Sequence, residues 1–321
     1  MRRMLFLAPV SDRIAAINVN VKTVPETLAL VRRAEELGVR SMWLSSPYPP
    51  LPDSLTTLAV IGARTERILL GSSIAVTFSR HPLIMAQQAM AIDQVAPGRF
   101  RLGIGTGHRL MVEDAYGLPF ERPLEQLREY AEILQQAFHG GQIDYTGKRF
   151  NVHASLAGAA SIPLYLSALR APSYRLAGEL ADGAISWVSP SAFLRDVARP
   201  ALLKGAASSG RPRPRLVGHA FGLVSDDAEA VRKLGRERLV GYTGLAFYQA
   251  MFAAAGYPEA RDGVVSDDLA DDLVLAGKEE RVADGVRRFF DRGADELIVR
   301  LLPGSESDVE RTFRLLGESS L

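Results

Sequence analysis

Short, continuous apolar runs alternate along this chain with longer stretches whose apolar residues recur at helical spacing. The runs at residues 4–9, 41–44, 68–74, 100–104, 164–166, 184–187, 216–224 and 296–301 predict eight strands. These runs do not alternate with polar residues, so both faces of each strand are expected to be buried, as in a parallel sheet covered by helices. The intervening periodicity predicts helices over 24–37, 53–65, 81–95, 123–138, 172–180, 192–207, 226–255 and 279–292, the one at 226–255 broken around 241–244. Pro25 near the start of the first helix and Gly38 just past its end stand where helix termini favour them. Repeated strand–helix units leave a doubly wound sheet or a closed barrel, and eight units select the α/β (β/α)8 TIM barrel. Ile143, Tyr145 and Phe150, alternating around Gly147-Lys148, predict an external hairpin over 140–152. Residues 241–277 read as an irregular and helical insertion, polar from 256 onward and carrying acidic pairs. The expected organisation is one barrel domain, residues 1–321, with insertions in its βα loops.

Composition narrows the function. The chain's 38 basic and 37 acidic residues leave a net charge of +1, which gives no electrostatic reason to expect nucleic acid or an anionic membrane as a partner. There is no cysteine, which excludes disulfides, thiolate metal sites, iron–sulfur clusters and cysteine nucleophiles, and fits a cytoplasmic protein. The apolar run at 4–9 follows Arg2 and Arg3 but stops at Pro9, too short for the core of a signal peptide. No window reaches the roughly 18 apolar residues of a membrane helix. Histidine–carboxylate metal motifs, serine-hydrolase elbows and Walker loops are missing, so no metal site is expected.

In a barrel of this kind the chemistry sits where strands end and βα loops begin. After the second strand come Ser45 and Ser46, which suit either hydrogen bonding to a polar ring edge or turn formation. After the third, small residues lead to Arg80 and His81; His81, preceding Pro82, is expected to cap the next helix, and Arg80 to hold an anion or be a solvated charge. Gly103, Gly105 and Gly107 lack dinucleotide-fingerprint spacing and instead allow a ligand to approach the backbone closely. His108 then lies at the mouth, where an imidazole can move a proton near neutrality. The fifth strand leads through Ser167, Ala168 and Arg170 to a helix opened by Pro172-Ser173, whose free N–H groups suit a phosphate or a simple capped turn.

The words Thr65-Glu66-Arg67-Ile68-Leu69-Leu70-Gly71, Arg80-His81-Pro82, Ala86-Gln87-Gln88-Ala89, Asp93 and Gly98-Arg99-Phe100-Arg101-Leu102-Gly103-Ile104-Gly105, in this order and spacing, resemble the luciferase-like monooxygenase family. A second block, Pro163-Leu164-Tyr165-Leu166-Ser167-Ala168-Leu169 with Leu176-Ala177-Gly178-Glu179-Leu180-Ala181-Asp182-Gly183 and Trp187, is similar to its coenzyme F420-dependent branch, which includes methylenetetrahydromethanopterin reductase. The resemblance implies a (β/α)8 barrel binding F420 or, alternatively, FMN. It places Ser73 and Ile74 behind the ring, joined by a cis peptide bond. It places Thr106, Gly107 and His108 beside the ring or substrate, and Ser167 and Ala168 near the cofactor phosphate. Two departures stand out: Ser45-Ser46 where many members have an acidic residue or histidine, and Arg170 where a glycine is usual, so that either the phosphate turn is altered or the guanidinium helps bind the phosphate. The expected activity is F420-dependent hydride transfer to or from a small organic substrate, with His108 polarising it or delivering a proton. The alternatives are an FMN-dependent monooxygenase served by a separate reductase, and a non-catalytic cofactor-binding paralogue. The resemblance also implies a homodimer through helices 54–65 and 81–95, to which Leu83, Ile84, Ala86, Ala89, Met90 and Ile92 offer apolar surface; the plainer reading packs them all on the barrel.

Overall fold

The computed structural model describes residues 13–19, 22–46 and 52–318. Eight parallel strands close into a barrel: β1 (Ile14–Asn18), β2 (Ser41–Leu44), β3 (Leu69–Ser72), β4 (Phe100–Gly105), β5 (Leu164–Ser167), β6 (Gly183–Ile185), β7 (Arg215–Val224) and β8 (Glu296–Leu301). β8 returns to β1 and closes the ring, with Arg300 beside Asn18. The first barrel strand is thus Ile14–Asn18 and not residues 4–9, which lie outside the described residues. The other predicted strands and the helices between them are present.

Helix starts follow local chemistry. Asp53 accepts a hydrogen bond from the backbone N–H of Thr56 (2.9 Å) and caps the helix Ser54–Gly62. Thr23 does the same for Val24–Glu36. The hairpin forms its own two-stranded antiparallel sheet, Gln142–Thr146 with Asn151–Ser155. The Glu129 carboxylate ties its turn to the helix Pro123–Gly140 by accepting from the backbone N–H groups of Lys148, Arg149 and Phe150. Three features depart from the sequence reading. The insertion ends in a strand, Val274–Gly277, parallel to the end of β7. A final helix, Glu306–Glu318, packs against the first. The helix expected over 192–207 contains a π-helical stretch, Leu194–Ala198. No helix among the described residues is long and apolar enough to cross a membrane.

Side chains on β-strands alternate in direction, and this separates an outer core under the helices from a smaller cluster inside the barrel. Ala16, Trp43, Tyr165, Ile185, Val217 and Ile298 form the inner cluster. Trp43 and Tyr165 meet edge to face at 5.4 Å. Beneath them lies a buried ion pair, Arg101 Nη1 to Glu296 Oε2 at 2.6 Å. Ser41 Oγ and Trp43 Nε1 both donate to Glu296 Oε1 at 2.6 Å, and the Arg101 guanidinium lies 4.2 Å over the Trp43 ring. Ser41 and Glu296 open their strands and Arg101 is the second residue of its own, so the N-terminal end of the lumen is plugged and anything bound in the barrel must enter from the other end.

Burial alone would raise the Glu296 pKa, but the charge of Arg101 and the hydrogen bonds more than offset it and hold the carboxyl below its ordinary value of 4.5. The pair's stabilisation is therefore fully present above that value and lost as pH falls through the lowered one. Removing one partner strands a buried charge. Glu296→Ala is expected to cost about 3–5 kcal/mol, while Arg101→Met with Glu296→Leu recovers most of that loss. Urea unfolding of the three proteins checks this; a double variant no more stable than Glu296→Ala would refute the assignment.

Candidate active site

Above the inner cluster the lumen turns polar. The lumen-facing residue at the end of β1 is Asn18. Its Nδ2 donates to the Trp43 carbonyl (2.7 Å) and Ser45 Oγ (2.9 Å) and reaches Ser73 Oγ at 3.5 Å. Its Oδ1 is buried with no hydrogen-bond partner. Ser45 and Ser73 lie 3.4 Å apart through their hydroxyls. Three strand ends therefore present an amide and two hydroxyls at one corner of the mouth.

The next corner is built from small residues. The Ser73–Ile74 peptide bond is cis, as the resemblance implied. Ser72 Oγ donates to the Gly103 carbonyl (2.8 Å) and accepts from Gly103 N–H (3.0 Å), which locks β3 to β4. A Cβ at Gly103 would overlap the Ser72 carbonyl oxygen and press within 2.7 Å of Ile185 Cδ1. One at Gly105 would overlap Ser167 Oγ and press within 3.0 Å of Ile74 Cγ1. The alternating glycines are thus required by close approach. Past β4, Thr106, Gly107 and His108 enter a turn that leads to the π-helical stretch Met111–Ala115. Met111 and Val112 pack with Val76 and Phe120 beside Ile74. His108 reaches solvent yet has protein on most sides, and this desolvation lowers its pKa below the ordinary histidine value of 6.5.

The far side of the mouth is aromatic. Trp187, just past β6, stacks on His219 of β7 with ring centroids 3.6 Å apart. Trp187 Nε1 donates to Tyr242 Oη (2.9 Å), Tyr242 meets Tyr248 at 4.9 Å, and Tyr248 lies 6.1 Å from His108. His219 is fully buried, and neither ring nitrogen has a hydrogen-bond partner. Burial, reinforced by the charge of Arg300, holds its pKa well below the ordinary value, so the ring is neutral. Val188, which follows Trp187, has a φ of +49°, rare for a β-branched residue, and turns the chain sharply there.

The predicted residues Ser45, Ser73, Ile74, Thr106, Gly107, His108, Ser167 and Ala168 all lie at the strand ends that form this mouth. Arg170 stands at the N-terminus of the helix Ala171–Leu180, exposed, with its guanidinium 5.0 Å over the Phe247 ring. His81 caps the helix Pro82–Val95 by accepting from Leu83 N–H (3.3 Å), as expected. Arg80 holds no free anion: it is ion-paired with Asp53. Ser46 bonds Ser54 Oγ at 3.0 Å, a turn role distinct from that of Ser45. Sequence reading passed over Asn18, His219 and Arg300. Each is a polar residue inside an apolar strand, on the lumen side of the alternation, and that break in the run was the available signal. Among the described residues no cluster of three or more candidate metal ligands occurs.

Comparison with known proteins agrees with this architecture. The family model described as luciferase-like monooxygenase matches residues 4–296. The F420-dependent glucose-6-phosphate dehydrogenase of Nakamurella multipartita is 29% identical over 318 residues, covering 92% of each chain. The 5,10-methylenetetrahydromethanopterin reductase of Methanopyrus kandleri is 26% identical over 328 residues, covering 90% of this chain and 92% of that one. Among solved structures, an F420-dependent secondary alcohol dehydrogenase in complex with an F420-acetone adduct superposes with a TM-score of 0.82 at 17% identity, covering 97% of this chain and 99% of that chain, and shares the fold.

The two glycines should differ in their tolerance of a methyl group. At Gly103 the obstacle is backbone, which cannot step aside. At Gly105 it is the Ser167 side chain, whose hydroxyl can rotate and whose Cβ, 2.9 Å away, needs only a small shift. Gly103→Ala is expected to lose about 1–3 kcal/mol in urea unfolding and Gly105→Ala less. Equal losses would show that the β3–β4 contact is not as tight as described.

Proposed function

The chain belongs to the luciferase-like monooxygenase family, and from that premise we propose that it is an F420-dependent oxidoreductase transferring a hydride between the deazaflavin and a small organic substrate. The observation that carries this reading is the corner where Asn18, Ser45 and Ser73 present unfilled hydrogen-bonding capacity beside a strand stripped to glycine at Gly103 and Gly105. A flat tricyclic ring with one polar edge fits such a corner: the polar groups meet the edge, while the glycines let β3, β4 and β5 close tightly enough to bring Ile74 and Ser167 to the mouth. When bound, F420 supplies a two-electron carrier that exchanges hydride at a ring carbon, while the protein provides orientation and shields the reaction from water. The relatives' dependence on F420 further supports this reading.

In this proposal Asn18, Ser45 and Ser73 bind the polar edge. Ile74 backs the ring, and Thr106 and Gly107 flank it. Ser167, Ala168 and the Ala171 N–H that opens the helix Ala171–Leu180 bind the phosphate, where a helix N-terminus favours an anion. Arg170 adds its charge from the rim. His108 moves the proton that accompanies hydride transfer: its lowered pKa keeps the ring neutral near pH 7, with a lone pair free to accept a proton from an alcohol. The alternative within the same mouth is an FMN-dependent monooxygenase served by a separate reductase, favoured by the activity named in the family's description. We further propose a homodimer. Ala86, Ala89 and Ile92 pack inward on the barrel, but Val60, Ile84 and Val95 on two adjoining helices remain exposed.

Fluorescence titration of the purified protein with F420 and with FMN tests the cofactor. Saturable F420 binding at least tenfold tighter than FMN is expected, with His108→Gln leaving F420 affinity within twofold while lowering turnover. The reverse cofactor preference would transfer the reading to the monooxygenase, and no binding of either would leave the non-catalytic paralogue. For assembly, light scattering is expected to give twice the mass of one chain, falling toward one on Ile84→Lys; a monomeric wild-type protein would remove the dimer.

A further inference from the structure

The β7–β8 side of the mouth holds a cation that no part of the described chain neutralises. The chain pairs its other deeply placed arginines: Arg101 with Glu296, and Arg199 with Asp295. Arg300, near the end of β8, has no hydrogen bond and no carboxylate among the described residues; its guanidinium carbon lies 6.0 Å over the Phe221 ring. The register of β7 with β8 sets Phe221 beside Arg300 and His219 beside Ile298, one of the lumen cluster. The two-residue period therefore points Arg300 into the lumen with Ile298 and Glu296. His219, one step deeper, is the second unsatisfied group, with both ring nitrogens buried and unpartnered.

An uncompensated cation and an unpartnered imidazole side by side are costly in isolation and complementary to one kind of ligand. We propose that Arg300 and His219 form an anion subsite that binds a carboxylate or phosphate group of the substrate, so that the substrate is a small organic acid and not a neutral alcohol or sugar. Arg300 supplies the charge and a forked set of donors; the neutral His219 supplies one ring N–H. Trp187, Tyr242 and Tyr248 then form a continuous wall from this subsite to His108, along which the body of the acid lies. The desolvation that lowers the Arg300 pKa would be relieved by such a partner. The substrate assignment rests on the oxidoreductase reading above; the anion subsite does not.

Trp187 makes the test direct. Its fluorescence in the cofactor-free protein is followed while inorganic phosphate, benzoate and, as the uncharged control, benzyl alcohol are added. Saturable changes are expected with benzoate and phosphate, at least tenfold weaker with benzyl alcohol, lost in Arg300→Met and partly kept in Arg300→Lys. The signal, but not the stabilisation against heat by benzoate, should vanish in Trp187→Phe. If Arg300→Met does not fold, the wild-type comparison still decides: a thermal midpoint raised no more by benzoate than by benzyl alcohol overturns the subsite. F420 affinity separates the two sources of anion. Unchanged F420 binding in Arg300→Met upholds a substrate site, and a loss of tenfold or more assigns Arg300 to the cofactor and overturns the proposal. Anion binding without any F420 binding upholds the subsite and overturns the reaction instead; F420 binding without anion binding does the opposite.

Discussion

The buried pair Arg101–Glu296 fixes which end of this barrel can do chemistry. Two opposite charges at hydrogen-bonding distance, sealed by Trp43 above and Ser41 beside them, close the N-terminal end of the lumen. Such a pair is weak evidence for stability, since its desolvation cost can match its attraction, yet breaking it is expensive. Its consequence is geometric. With the floor filled by charge and the middle by Trp43, Tyr165 and Ile298, the lumen positions left among the described residues to meet a ligand are the last residues of each strand and the loops that follow. Catalysis at the C-terminal face of the barrel is here a packing outcome before it is a chemical one.

The polar character of the mouth follows from the same alternation. Moving up β1 by two residues exchanges Ala16 for Asn18; on β2, Trp43 for Ser45; on β8, Ile298 for Arg300. Each exchange costs apolar packing that the layer beneath retains. What is gained is a ring of donors and acceptors whose capacity the protein does not use up by itself, seen in the orphaned Oδ1 of Asn18 and nitrogens of His219. Natural cores satisfy nearly all such atoms, so two residues with orphaned atoms at one mouth mark a ligand surface better than either does alone.

Much of this architecture was readable from the sequence because parallel strands bury both faces and so spell themselves as unbroken apolar runs. Three elements were not. β1 is Ile-Ala-Ala-Ile-Asn, a short strand with two alanines preceded by the charged residues Asp12 and Arg13, and the more hydrophobic residues 4–9 drew the assignment instead. Val274–Gly277 follows a helix of four aspartates, so its surroundings looked like polar insertion. The final helix carries Val309, Phe313 and Leu316 at helical spacing, but lies past the eighth strand that completed the count. In the mouth, residues in turns just after strands were legible because barrel topology makes those positions special in advance. Asn18, His219 and Arg300 were not, because their meaning lies in what neighbouring strands place beside them. Arg300 in particular is legible only from the absence of a carboxylate partner, which requires coordinates.

The comparison of Arg80 with Arg300 shows why that absence carries weight. The sequence offered Arg80 as a residue able to hold an anion and gave no such reading to Arg300, which lies within β8. Arg80 is occupied by Asp53, which also caps a helix, so its charge belongs to the scaffold. Arg300, half-buried, is flanked by aromatic rings and a neutral histidine, surroundings that supply no counter-charge and thin the water that would screen it. A methionine or leucine would fill the same position at lower cost to folding. A cation kept there without a partner is therefore best explained by interactions formed only when a ligand is present, and the same low dielectric that makes it costly alone makes its attraction to an incoming anion strong.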